Sequence, residues 1–144
     1  VGKVQSKVLG KFMKFAKTMD LKAYAFVQPI EGGTFDLGKL AAKPGQVLEL
    51  AVRRVKPGQE GAFQSSRKGF VNWLNKQEGV AGSWEFKVVG GKNIENLTVG
   101  MSVYESQEAF QAIAGKVQSL PEAGAYFSTF EPVALQYAVS ANNQ

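Results

Sequence analysis

The sequence predicts an α+β fold: four strands and two helices in the order β-α-β-β-α-β over residues 46–140, forming a four-stranded antiparallel sheet. Three observations predict it. Apolar residues alternate with others in four short runs, as they do in strands. Two segments between those runs carry apolar residues at helical spacing. Gly and Pro clusters fall where one periodicity gives way to the other.

The first run, Val47 to Val55, is a strand ended by Pro57-Gly58. Residues 59–78 carry Phe63, Phe70, Trp73 and Leu74 at helical spacing, with Gly79 as the expected C-cap. Gly82 to Val89 and Asn96 to Tyr104 flank a Gly90-Gly91-Lys92-Asn93 turn and read as a hairpin. Ser106 is a helix N-cap, and the helix runs through Ala109, Phe110, Ile113 and Val117. Pro121 opens a further helical turn, and Pro132 precedes the last strand, Val133 to Val139. This order is the split βαβ, or ferredoxin-like, arrangement.

Residues 1–45 are an N-terminal extension, too small to hold a core of their own, and 141–144 are a polar tail. In 1–19, Val1, Val4, Val8, Phe12, Phe15 and Met19 form one helical stripe, opposite Lys3, Lys7, Lys11, Lys14 and Lys17. Two readings stand: a helix lying on an anionic membrane surface, or one docked on its own protein with solvated lysines. The second is the commoner case. Residues 21–28 predict a short strand, and 31–46 an irregular connector.

Both faces of the strands look apolar, and two helices cover only one. The second face predicts a homodimer, two sheets closing into an α/β barrel. The alternative is a monomer whose N-terminal helix covers that face.

Composition removes several classes of function. The 144 residues include no His and no Cys. That excludes a Ser-His-Asp triad, a histidine ligand for haem or metal, and a thiolate site. The glutamates show no metal spacing, and no nucleotide-binding loop is present. Net charge is +5. The lysines concentrate in the first 22 residues, so no nucleic-acid partner is expected. No apolar run reaches the length of a membrane span and no signal-peptide core is seen. The compartment is left open, as is a leader removed before Val1, with a soluble, cytoplasmic location favoured.

Three passages carry a family resemblance: Arg54-Val55-Lys56-Pro57-Gly58-Gln59-Glu60, then Gly79-Val80 leading through Gly82 to Trp84-Glu85-Phe86, then Tyr104-Glu105-Ser106-Gln107-Glu108-Ala109-Phe110. Residues 47–137 resemble the antibiotic-biosynthesis-monooxygenase-like members of the dimeric α/β-barrel superfamily. The resemblance implies a small aromatic or apolar ligand and a monooxygenase that uses no cofactor. It also implies a pocket between the sheet and its two helices. Residues able to reach that pocket are Arg53, Asn72, Trp73, Trp84, Phe86, Met101, Tyr104, Phe110, Tyr126 and Phe127. Haem degradation, found in other members, requires a histidine this chain lacks.

The residues also have plainer readings. Trp73 shares the helical stripe of Phe63 and Phe70 and reads as core. Asn72 lies off that stripe and reads as solvated. Arg53 and Arg54 must point to opposite sides of the sheet. The inward one either meets a ligand anion or pairs with a carboxylate such as Glu49 or Glu85, and pairing is preferred. The competing function is a non-catalytic carrier or assembly module docked through its N-terminal helix. The sequence leaves open whether the protein is an enzyme.

Overall fold

The computed structural model describes residues 25–30, 36–40, 43–91 and 93–141, with Lys14, Lys17 and Thr18. The amphipathic 1–19 segment and the tail beyond residue 141 lie outside the described residues. In chain order the elements are β1 (Ala25–Pro29), a 3-10 turn (Leu37–Lys39), β2 (Val47–Val55), α1 (Glu60–Leu74), β3 (Val80–Gly91), β4 (Leu97–Tyr104), α2 (Gln107–Gln118), α3 (Pro121–Ser128) and β5 (Phe130–Val139).

The sheet order is β1-β3-β4-β2-β5, antiparallel throughout. Its last four strands follow the ferredoxin-like order. The fifth is an addition to the four-stranded expectation. β1 pairs with the outer half of β3, from Ala25↔Gly91 to Pro29↔Phe86. It can do so because β3 runs twelve residues, past the predicted Val89.

Helix ends follow local chemistry. Ser106 caps α2 as expected, its Oγ accepting from Ala109 N at 3.2 Å. Pro121 opens a full helix, α3, rather than a single turn. α1 stops at Leu74, short of the predicted residue 78. Asn75 ends it by binding the start of β3: its Oδ1 accepts from Ser83 N at 2.9 Å and its Nδ2 donates to Ser83 O at 3.3 Å. Gly79 is therefore no C-cap. It turns the chain into β3 at φ +87°, where a Cβ would sit 2.7 Å from that of Ala109.

Strand alternation divides the sheet. Val47, Glu49, Ala51, Arg53 and Val55 face the helices, and Leu48, Leu50 and Val52 face away. Register puts Ser83 and Glu85 of β3, and Thr98, Gly100, Ser102 and Tyr104 of β4, on the helix side. Between sheet and helices lie two apolar clusters. One joins Val47, Leu74, Tyr104 and Ile113, the other Val55, Phe63, Tyr126 and Phe130, and Phe70 touches both.

The far face is less open than its sequence suggested, since Phe86, Val99 and Val103 are buried. Exposed apolar side chains gather at the two edges of the sheet: Phe26, Val27 and Val89 on β1 and β3, and Val133, Leu135, Tyr137 and Val139, each about half exposed, on β5.

Candidate functional site

A cavity of about 460 Å³ opens between the two apolar clusters. Its floor is sheet, and the floor residues are small: Ala51 on β2, Ser83 on β3, Gly100 and Ser102 on β4. Large rings stand around them, with Phe70 from α1, Phe110 from α2, Tyr126 and Phe127 from α3, and Tyr137 from β5. Short side chains below and long ones at the walls leave volume that close packing would otherwise fill. The size and the mainly apolar lining suit a small-molecule site.

Two polar groups are set into this lining. The first centres on Arg53, only 5% exposed. Its Nη2 lies 2.5 Å from Glu85 Oε2, itself on an 8% exposed residue. Its Nη1 donates to the Tyr126 hydroxyl. The guanidinium carbon sits 5.6–5.9 Å from the ring centres of Phe130, Phe63 and Tyr126, within cation–π range. Arg53 Nε is buried without a hydrogen-bond partner. Gly100 makes room for the pair, since a Cβ there would lie 2.8 Å from Arg53 Nη2 and 3.0 Å from Glu85 Oε1. Burial opposes the Arg53 charge, and Glu85, Tyr126 and Glu49 together more than offset that, so the guanidinium stays protonated. Burial pushes the Glu85 carboxyl upward, and Arg53 restrains the rise.

The second group centres on Glu49. Tyr104 Oη donates to its Oε2 at 2.6 Å. Burial raises the Glu49 carboxyl, against that hydrogen bond and the Arg53 charge. The Tyr104 hydroxyl is pushed well above its ordinary value, first by burial and then by Glu49, so it remains a donor. Tyr137 lies opposite Glu49 in register on β5. Between the two polar groups, the Ser83 and Ser102 hydroxyls meet at 3.0 Å.

Of the ten pocket candidates, the structure brings Arg53, Tyr104, Phe110, Tyr126 and Phe127 together around this cavity. Trp84, Phe86 and Met101 do not join them. Trp84 pairs with Met101 and Phe86 with Val99, so alternation sends all three to the far face. Trp73 packs beside Phe70, ring centres 6.0 Å apart, at the edge of the first cluster. Asn72 is exposed and, with Trp84, lines a separate pocket of about 310 Å³ against Pro29, Ile30, Arg67 and Lys68. Arg54 leaves the site and donates to Asn93 O at 3.2 Å and to Glu95 O.

Sequence reasoning missed Ser83, Ser102, Leu135 and Tyr137 as lining residues, and considered Glu49 and Glu85 only as ion-pair partners. The signal was available in the strand period. If Glu85 meets Arg53 under the helices, its neighbours Trp84 and Phe86 must point the other way. Among the described residues, no three acidic groups converge to hold a metal ion, and no helix is long and apolar enough to cross a membrane.

Fold and cavity together define an α+β protein with an aromatic-walled cavity between its sheet and its helices. Its fold is that of the antibiotic biosynthesis monooxygenase-like proteins. The chain is similar to SnoaB from Streptomyces nogalater, a cofactor-independent oxygenase, at TM-score 0.56 and 16% identity over 69% of this chain and 96% of that one. It is also similar to a Caulobacter crescentus protein assigned as an antibiotic biosynthesis monooxygenase, at TM-score 0.55 and 17% identity over 69% and 92%. A Bordetella bronchiseptica protein with the same assignment aligns at TM-score 0.50 and 16% identity, over 68% and 99%. No family model matches the sequence, and no curated protein matches it at a significant level. At such identities the likeness establishes the fold, and the argument for activity falls to the site.

Proposed function

We propose that this protein binds a polycyclic phenol, or the enol form of a polycyclic ketone, in the cavity between its sheet and helices and oxygenates it without metal or flavin. The observation that carries this reading is the 460 Å³ aromatic-walled cavity with buried polar groups in its floor. The fold it shares with a cofactor-independent oxygenase supports the same reading.

Such chemistry asks little of a protein. The ligand loses a proton and becomes an electron-rich anion. That anion, not a cofactor, reduces O2. One oxygen atom enters the product and the other leaves as water, so a ketone of the anthrone type plus O2 gives a quinone plus water. The protein must exclude bulk water, hold the flat rings and balance the developing charge. Here Phe70, Phe110 and Phe127 supply apolar walls, and Arg53 supplies a cation held in a fixed position.

Anthrone tests the reading. Incubated with the protein, air and EDTA, it is expected to give saturable anthraquinone formation with one O2 consumed per quinone, and to quench tryptophan fluorescence on binding. Binding without oxygen uptake would leave a carrier, and absence of binding would remove the cavity as a site for this ligand class.

A further inference from the structure

We propose that Glu49 is the catalytic base of this site, taking the proton from the bound ligand, with Tyr104 as its positioning residue. This inference rests on the ligand class proposed above.

Two carboxylates line the cavity, Glu49 and Glu85. Glu85 is committed to Arg53 at 2.5 Å. Glu49 has one oxygen held and one free. Oε2 accepts from Tyr104 at 2.6 Å, and Oε1 has no hydrogen-bond partner among the described residues. The hydrogen bond fixes the carboxylate's orientation and leaves Oε1 as the acceptor for a ligand proton.

The surroundings favour a flat ring at that point. Tyr104 and Phe110 have ring centres 5.2 Å apart, and Phe110 and Tyr137 4.9 Å. These three rings lie on β4, α2 and β5 around the Glu49 position on β2. The charged and titratable groups that face Glu49 are Tyr104 from β4, Tyr137 from β5 and Arg53 from its own strand. The α2 residues at the cavity are apolar or, for Gln118, uncharged.

Charge balance explains why a carboxylate is needed. Creating an anion against a mainly apolar lining is costly when its proton must leave for solvent. With Glu49 as acceptor the cavity's net charge does not change. The ligand's O–H bond, or the methylene C–H bond of the keto form, breaks and its electron pair stays on the ligand. An O–H bond forms at Glu49, and the negative charge moves from the carboxylate to the ligand. Burial lifts the Glu49 carboxyl above its ordinary value, which makes it a stronger base than a solvated glutamate.

The test uses anthrone with the wild-type protein, Glu49→Gln and Tyr104→Phe. Binding is read by tryptophan quenching, and single-turnover quinone formation is followed from pH 4 to 9. The wild-type rate is expected to rise with pH through the Glu49 titration and then level. Glu49→Gln keeps binding within a few-fold, loses roughly 10²–10⁴-fold in rate and loses the rising limb. Tyr104→Phe removes a hydrogen bond that favours the carboxylate, so its limb moves to higher pH. Glu49→Gln turning over at the wild-type rate, or an unmoved limb in Tyr104→Phe, overturns Glu49 as base while leaving the oxygenase reading intact. A wild-type protein that binds anthrone without converting it overturns that reading and the base with it.

Discussion

Removing the Arg53 charge tests the buried floor most directly. Arg53 and Glu85 are 5% and 8% exposed, so solvent screens the pair little. Arg53→Met keeps most of the side-chain length and leaves Glu85 buried without its cation. Breaking one partner of a buried pair costs about 3–5 kcal/mol. In a chain of this size that is a fall in Tm of roughly 10–20 °C. Urea unfolding at pH 7, followed by Trp73 and Trp84 fluorescence, measures the loss. The pH dependence has a definite sign. Burial already raises the Glu85 carboxyl, and without Arg53 it rises further above its unfolded value. A raised carboxyl favours the native state below its unfolded pKa, and that stability is lost as pH rises toward the folded pKa. The Arg53→Met penalty should therefore be smaller at pH 5 than at pH 7. Replacing both partners by apolar residues, Arg53→Met with Glu85→Leu, should recover most of the loss, because neither charge is then stranded. A single-variant loss under about 1 kcal/mol, or an equal loss at the two pH values, would refute the reasoning.

Two further outcomes follow from the same geometry. Gly100→Ala places a methyl 2.8 Å from Arg53 Nη2 and 3.0 Å from Glu85 Oε1. It should cost about 1–3 kcal/mol by overpacking, and markedly less in the Arg53→Met/Glu85→Leu background, where urea titration can be repeated. We also propose that the protein is a homodimer covering the apolar edge of β5, since Val133, Leu135, Tyr137 and Val139 there are each about half exposed and exposed edge strands invite pairing. Native mass spectrometry should give twice the 15.6 kDa chain mass, and Leu135→Glu should shift it toward one chain. A monomer at micromolar concentration in the unsubstituted protein would end the proposal.

The strands and helices were legible because each carries its own signal: alternation in Val47–Val55, helical spacing from Phe63 to Leu74, the Ser106 cap. Their ends were less so where a tertiary contact decides. α1 stops at Leu74 because Asn75 binds Ser83 eight residues on, a contact no local propensity reports. β3 outruns its predicted end because β1 pairs with it. The candidate site divides the same way. Tyr104, Phe110, Tyr126 and Phe127 stand out as large rings in a chain whose helices must cover a sheet. Trp84 and Phe86 stand out equally and point away. Residue size says nothing of face, and only the register of β3 on β4 assigns it.

The most informative residues on the helix side are those that break its apolar pattern. A face packed against helices would be most stable with aliphatic side chains throughout, since a buried ion pair is often no better than an apolar replacement of its volume. Yet β2, β3 and β4 turn Glu49, Arg53, Ser83, Glu85, Thr98 and Ser102 inward, and five of these, all but Ser83, adjoin the small Ala51–Gly100 pair. Departures from local rules that gather in one place, beside unfilled volume, mark a site rather than a core. The charged groups in the set are Arg53, Glu49 and Glu85, and Arg67 on α1 is near enough to act on Glu85. On the proposed mechanism, a shift of negative charge from Glu49 to a bound ligand leaves the net charge of this floor and its ligand unchanged. Aliphatic substitution of that floor would give a more stable sheet with nothing in it to take a proton.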